Sequence, residues 1–142
     1  MRKKTLRIVS LVLVAAALLT NMVFAAESRE SKYITSYMAM VVDAGNGMVK
    51  VNFNVTGTRT LPTLGAMKID IYSFSEGKIF TFDYTDPEYE DIMMGTNTFL
   101  YGNSVYYQGK VGEKYAALVK FYAADDKGSD TATYSTAFVE MK

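Results

Sequence analysis

The chain contains no cysteine, no histidine and no tryptophan, and only two prolines, in 142 residues. Without cysteine it can form neither a disulfide nor a thiolate metal site, and its stability must come from an apolar core. Without histidine the imidazole-based catalytic triads and zinc centres are excluded. No glycine-rich phosphate loop follows a strand-like segment. The remaining route to catalysis is a pair of carboxylates, as in glycoside hydrolysis.

The first 25 residues have the organisation of a secretory signal peptide. A basic start is followed by an apolar run over residues 8–24, and Val23 and Ala25 are the small residues expected before a cleavage site. An uncleaved N-terminal anchor is the alternative, although the run is shorter than the roughly 20 apolar residues of a spanning helix. We expect a secreted, extracellular protein whose mature chain, residues 26–142, is a single domain ordered over about residues 33–140.

Cleavage changes the charge balance of the protein. The chain has 15 basic and 15 acidic residues, and because four basic residues lie in the signal peptide, the mature part keeps 11 basic against 15 acidic. An acidic surface argues against a nucleic-acid partner, whose phosphates require basic residues, and gives no attraction to anionic membranes. We expect no nucleic-acid partner, and no membrane contact after cleavage.

The segment from Lys114 to Val139 predicts a β-hairpin. A polar turn from Asp125 to Asp130, with Gly128 inside it, separates two extended runs. In the first run every second side chain is apolar or aromatic, which predicts one buried face made of Tyr115, Ala117, Val119, Phe121 and Ala123.

Residues 48–56 have the clearest alternation, with Val49, Val51, Phe53 and Val55 expected to point into the core. Further strands are predicted at residues 33–42, 66–74, 79–84, 96–101 and 104–108. Residues 57–65 are expected to be a connection because Pro62 cannot donate to a strand ladder, and Gly102-Asn103 is expected to be a turn. A short helix is predicted between Asp86 and Gly95. The pattern indicates an all-β antiparallel sandwich of seven or eight strands with one short helix.

The run from Val111 to Ala123, the loop with Gly128 and the run over residues 131–139 resemble the last two strands of fibronectin type III and related immunoglobulin-like domains. In such domains a tyrosine bonds back to the chain just upstream, and Tyr115 occupies that position. The resemblance implies an immunoglobulin-like β-sandwich with Tyr115 as a structural tyrosine corner. The mature chain is also similar to small secreted bacterial proteins of unknown function, which implies a compartment and no activity.

Two acidic segments are candidates for chemistry. The first surrounds the predicted helix and could supply a catalytic carboxylate pair, or be a solvated loop with a capping aspartate: Asp83, Asp86, Glu88, Glu90 and Asp91. The second, with Asp125, Asp126 and Asp130, could bind calcium, but it lacks the spacing of an EF-hand and turn chemistry explains it equally well. We expect no catalytic residue, no metal ion and no cofactor.

The aromatic content suggests a binding surface, because 11 tyrosines and eight phenylalanines exceed what the buried faces need. The candidate ligand-facing aromatics are Tyr101, Tyr106, Tyr107, Tyr122 and Tyr134. High strand propensity of tyrosine is the alternative explanation. We expect a non-catalytic module that binds an extracellular protein. A carbohydrate-binding module with a tyrosine-rich face for a cell-wall glycan is the alternative, and a two-carboxylate hydrolase is the third hypothesis.

Overall fold

The computed structural model describes residues 31–142, and the predicted signal peptide lies outside these residues. They form seven antiparallel strands and one short helix, which confirms the all-β class. The strands are β1 (Ile34–Asp43), β2 (Met48–Ser73), β3 (Gly77–Asp83), β4 (Met94–Gln108), β5 (Lys114–Ala124), β6 (Ser129–Ser135) and β7 (Val139–Glu140), and the helix is α1 (Glu90–Met93).

Strand β2 organises the sheet because it is 26 residues long and pairs with four other strands. Its first half lies between β1 and β4, and its second half lies between β3 and β5. Strands β6 and β7 both pair with β5. The sheet therefore curls into two facing parts: a first layer of β1, the first half of β2 and β4, and a second layer of β3, the second half of β2, β5 and β6.

The core lies between the two layers. Val49, Val51, Phe53 and Val55 are buried, which confirms the predicted inner face of β2. The predicted apolar face of β5 is buried as well, from Tyr115 to Ala123 at every second residue. Rings from the two layers meet across this core, with 5.6 Å between the centroids of Tyr37 and Phe121 and 5.5 Å between those of Phe80 and Tyr107.

The prediction of a connection at residues 57–65 is wrong, because β2 runs through this stretch as one bent strand. Pro62 is tolerated since it is exposed at the bend and lies between residues 61 and 63, which pair with β4. Gly65 is required by packing rather than by a turn, because a Cβ at this position would overlap the carbonyl oxygen of Met93. A single strand therefore crosses from one layer to the other.

Strand β4 is also continuous, so the predicted Gly102-Asn103 turn between two shorter strands is wrong. Gly102 pairs with Asn54 and Asn103 with Phe53, in the same register as the residues on either side. A Cβ on Gly102 would come within 3.1 Å of the carbonyl oxygen of Phe53, so glycine here permits a close approach of two strands.

The helix is shorter than the predicted segment from Asp86 to Gly95. Its four residues follow a turn in which the carbonyl of Asp86 accepts hydrogen bonds from the backbone N–H groups of Tyr89 and Glu90, at 2.9 and 3.1 Å. The chain then enters β4 directly at Met94, so Gly95 is a strand residue. Within residues 31–142 no helix is long and apolar enough to cross a membrane.

Candidate functional site

The outer surface of the first layer is built by the side chains that alternate with the core residues. Directly paired residues of antiparallel strands share a face. The register therefore sets Met38 and Met40 of β1 beside Asn54 and Asn52 of β2, and sets β4 on the other side of β2. We call this surface the β1–β2–β4 face and define it by Ser36, Met38, Met40, Val42, Lys50, Asn52, Asn54, Thr56, Leu100, Gly102, Ser104 and Tyr106.

Apolar side chains are exposed along both margins of the β1–β2–β4 face. Met38 and Met40 are 45% and 51% exposed on β1, and Leu100 and Tyr106 are 53% and 54% exposed on β4. Such a group differs from single exposed apolar residues, which are ordinary on protein surfaces.

The centre of this face is polar but almost uncharged. The hydroxyl of Ser104 donates a hydrogen bond to the side-chain oxygen of Asn52. Lys50 is the single charged residue that the register assigns to this face among the described residues, and its Nζ lies 5.9 Å from the ring centroid of Tyr106. The centres of protein interfaces are depleted of charged residues, and the described residues of this face share that feature.

The outer face of the second layer is different, because it carries charges of both signs. Lys68 and Asp83 form an ion pair with 4.0 Å between their charged atoms, and Lys120 pairs with Lys68 across the strands. The hydroxyl of Thr81 donates a 2.6 Å hydrogen bond to Asp70. This is the pattern of a solvated sheet face, so the two outer surfaces of the protein have distinct chemistry.

The structure does not bring the five candidate tyrosines together. Only Tyr106 lies on the β1–β2–β4 face. Tyr122 pairs with Gly65 on the opposite outer surface, where its ring stacks on Tyr84 with 6.3 Å between centroids. These two tyrosines therefore face solvent on different layers.

The other three tyrosines point toward the core. The hydroxyl of Tyr101 donates a 2.6 Å hydrogen bond to the carbonyl oxygen of Ile92, which ties β4 to α1. Tyr107 packs on Phe80 in the opposite layer, and Tyr134 packs edge-on against a tyrosine of β1. These rings contribute to packing between layers and form no aromatic row.

Tyr115 is 3% exposed at the start of β5, and its hydroxyl accepts a 2.9 Å hydrogen bond from the backbone N–H of Lys110. A Cβ on Gly109 would lie 2.7 Å from the Tyr115 ring, so the chain upstream passes directly over that ring. The hydroxyl thus holds the loop between β4 and β5 against the end of the core.

Two of the five carboxylates near α1, those of Asp83 and Asp86, act as turn residues, while Glu90 and Asp91 lie in α1. Asp83 accepts hydrogen bonds from the backbone N–H and the hydroxyl of Thr85, at 3.0 and 2.8 Å, and these bonds, with the backbone one foremost, lower the pKa of Asp83. Asp86 accepts a hydrogen bond from the backbone N–H of Glu88. A glycosidase needs one carboxyl whose pKa is raised so that it can act as an acid. The geometry here supports a solvated loop.

The carboxylate of Asp125 is already engaged in closing the turn between β5 and β6. It accepts hydrogen bonds from the backbone N–H groups of Lys127 and Gly128, at 2.8 and 3.0 Å, and from the hydroxyl of Tyr33 at 3.3 Å. It also forms an ion pair with Arg59. The bond from Lys127, followed by Arg59, Gly128 and Tyr33, lowers the pKa of Asp125, while partial burial opposes this.

The other two aspartates of this segment, Asp126 and Asp130, do not complete a cation site with Asp125. Asp126 is exposed, and Asp130 accepts a hydrogen bond from the backbone N–H of Thr131. In the part of the chain that the structure describes, no group of three or more acidic residues is arranged to hold a metal ion.

Sequence reasoning missed the β1–β2–β4 face because β1 is apolar on both of its sides. Along β1 one side carries Tyr37, Ala39 and Val41 and the other carries Met38 and Met40. Because both sets are apolar, the alternation of side chains does not reveal which set is buried. The signal that could have found the face is this double apolarity itself, since a strand with one solvated side should carry polar residues there. Comparisons of the chain with protein-family models, with curated proteins and with solved structures found no match.

Proposed function

We propose that this protein is a secreted, non-catalytic module that binds another protein through the β1–β2–β4 face. The observation that carries the proposal is the exposure of Met38, Met40, Leu100 and Tyr106 around a polar, nearly uncharged centre. Burying these side chains against a partner would remove apolar surface from water, which is the main favourable contribution to protein association.

Protein is favoured over sugar as the bound partner because of the side chains on this face. Sugar rings are bound by stacking on aromatic rings, and Tyr106 is the one aromatic residue that the register assigns to this face within residues 31–142. Met38 and Met40 suit protein contacts instead, because the unbranched thioether side chain adapts to an irregular apolar surface. The carbohydrate alternative, which needs a tyrosine-rich face, has no such support.

The dimensions of the face set the scale of the contact. Three strands about 4.8 Å apart and seven residues of about 3.4 Å each give a surface of roughly 14 by 24 Å. A stable interface takes about 800 Å² of accessible surface from each partner. The face therefore supplies the centre of a binding site at the small end of the range of specific interfaces.

We further propose that the sandwich is immunoglobulin-like, of the fibronectin type III kind. The support is the order of strands, with β1, the first half of β2 and β4 in one layer and the second half of β2, β5 and β6 in the other. The hydroxyl of Tyr115, bonded to the backbone five residues upstream, supports a tyrosine corner. Sandwiches of this kind carry many different functions, and the function of each depends on the residues at its surface.

Site-specific photo-crosslinking in the producing cells tests the binding proposal. A photoreactive phenylalanine analogue replaces the exposed Asn54 at the centre of the β1–β2–β4 face, and in a matched variant it replaces the exposed Lys120 on the other layer. We expect protein adducts from position 54 and far fewer from position 120. Equal adducts at both positions, or adducts from position 120 alone, would refute this surface as the binding site.

A further inference from the structure

We infer that the protein bound by the β1–β2–β4 face is a second copy of this chain, with the two faces packed together about a twofold axis. This inference rests on the proposed function, that the face binds a protein. It follows from the positions of the charges, the apolar margins and the amides on the face. When a second copy is rotated by 180° and placed against the first, each of these groups meets a group with which it can pack or form hydrogen bonds.

Charge comes first. With residues 1–25 removed, the chain has 11 basic against 15 acidic residues, so two copies repel each other on average. The β1–β2–β4 face differs from that average, because none of the described residues that define it is acidic. Self-association through this face therefore brings no carboxylates together, and like charges placed directly opposite each other would weaken such a contact.

The single charge also has a suitable position. Lys50 lies at one end of the face, beside Val42 and Tyr106, whereas Thr56 and Leu100 lie at the other end. A twofold axis that crosses the strands places each Lys50 over the uncharged Thr56 end of the other copy. Six residues at about 3.4 Å separate the two ends, or about 20 Å, which exceeds the Debye length of about 8 Å at physiological salt. The two lysines then do not repel each other appreciably.

The same axis matches apolar margin with apolar margin. It stacks β1 on β1 of the other copy, so that Met38 of one copy meets Met40 of the other, and it stacks β4 on β4, so that Leu100 meets Tyr106. Two sheets packed with their strands nearly aligned bring facing side chains into contact about 10 Å apart, backbone to backbone. The exposed side chains on both margins are thereby covered.

The centre of the face is self-complementary in hydrogen bonding. Asn52 and Asn54 lie on either side of the axis, so each meets the other residue of the second copy. A side-chain amide has two donor hydrogens and an acceptor oxygen, so two amides can bond to each other without a third group. Because Asn54 is exposed, its amide is accessible for this contact, whereas that of Asn52 is partly used by Ser104.

Sedimentation velocity tests the inference on protein expressed from the full coding sequence. The variants are Met40→Lys on β1 and Leu100→Lys on β4, and the matched control is Phe74→Lys, an exposed apolar residue outside the face. We expect a dimer whose fraction rises with concentration up to about 100 µM, and a dissociation constant raised about tenfold or more by either face variant. Phe74→Lys should leave the dissociation constant unchanged. All three side chains are at least half exposed, so melting temperatures equal to that of the wild type, measured at a concentration where the wild type is monomeric, would show that folding is intact.

Each contrary result identifies what failed. A wild-type protein that stays monomeric at about 100 µM overturns the second copy as partner, while cross-linking at Asn54 still tests protein binding in general. Adducts of twice the chain mass at Asn54 support both proposals, and adducts with a different protein support only the proposed function. A dimer broken by Met40→Lys but unaffected by Leu100→Lys also overturns the inference, because it would indicate pairing at the β1 edge.

Discussion

Replacing Tyr115 by phenylalanine tests the interaction that holds the loop between β4 and β5 against the core. The substitution keeps the buried ring and removes only the hydroxyl that accepts the N–H of Lys110. No cavity is formed beyond the volume of one oxygen atom, so the effect reports the hydrogen bond. The matched control is Tyr106→Phe, which removes the same atom from a ring that is largely exposed on the β1–β2–β4 face.

The size of the effect follows from the environment of the bond. A typical hydrogen bond contributes about 1 kcal/mol net, and a fully buried group left without a partner costs about 1–3 kcal/mol. The bond between Lys110 and Tyr115 is partly buried, so water reaches the freed N–H in some conformations. We therefore expect Tyr115→Phe to lower the free energy of unfolding by about 1–2 kcal/mol. Tyr106→Phe should change it by no more than about 0.5 kcal/mol, as surface substitutions do.

Urea denaturation of the three proteins measures the difference. With a slope of about 1–2 kcal/mol per molar, as small domains have, the Tyr115→Phe midpoint should fall by roughly 1 M while the slope stays constant. Equal midpoints for the wild type and Tyr115→Phe would refute the reasoning, because they would mean that the hydroxyl contributes nothing to stability. A changed slope would indicate an effect on compactness instead.

Four further predictions use the purified protein and its variants. Phe53→Ala should cost about 3–5 kcal/mol of stability in urea, because the ring is buried between the layers, and a wild-type midpoint would contradict its position in the core. Calcium or EDTA should leave the melting temperature unchanged, since the Asp125 carboxylate is already bonded; a rise lost in Asp125→Asn would instead identify a metal site. The pKa of Asp125 is below its ordinary 3.8, so the carboxylate stabilises the fold fully above that pH and loses its effect as the pH falls through its lower folded value. Melting temperature should therefore depend less steeply on acid pH in Asp125→Asn. Dilute peroxide should oxidise the exposed Met40 before the fully buried Met141, which peptide mass spectrometry would show, and equal rates would contradict the exposure of β1.

The parts of the fold that the sequence predicts well are those where one face is buried and the other solvated. Val49 and Phe53 alternate with polar residues along β2, so both the strand and its inner side are readable. The continuity of β2 is not readable, because Pro62 and Gly65 look like turn residues. Both residues are explained by tertiary structure. Pro62 lies at an exposed bend, and Gly65 leaves space for the backbone of Met93 at the end of α1. Local preference cannot reveal contacts with distant segments.

The candidate site illustrates the same limit. The sequence analysis groups Tyr106, which is exposed on the β1–β2–β4 face, with Tyr101 and Tyr107, which the pairing of β4 turns toward the core. Whether a tyrosine in a strand faces in or out depends on register, and a shift of one residue reverses every side chain. The exposed methionines of β1 escape notice because an apolar strand gives no sign of its solvated side.

The long strand β2 has a consequence for how the protein opens. Strand β2 pairs with β1 and β4 in the first layer and with β3 and β5 in the second, so it belongs to both layers. Neither layer can unfold without breaking the hydrogen bonds of its half of β2. Local opening is confined to what lies outside these ladders, such as β6 and β7, which pair with β5 alone. In amide hydrogen exchange, the protons of the paired segments of β2 on both sides of the bend should therefore be replaced by deuterium together, at the same rate and only through global unfolding. The two layers are thus one cooperative unit with two surfaces, and a mutation that loosens either layer shortens the lifetime of both.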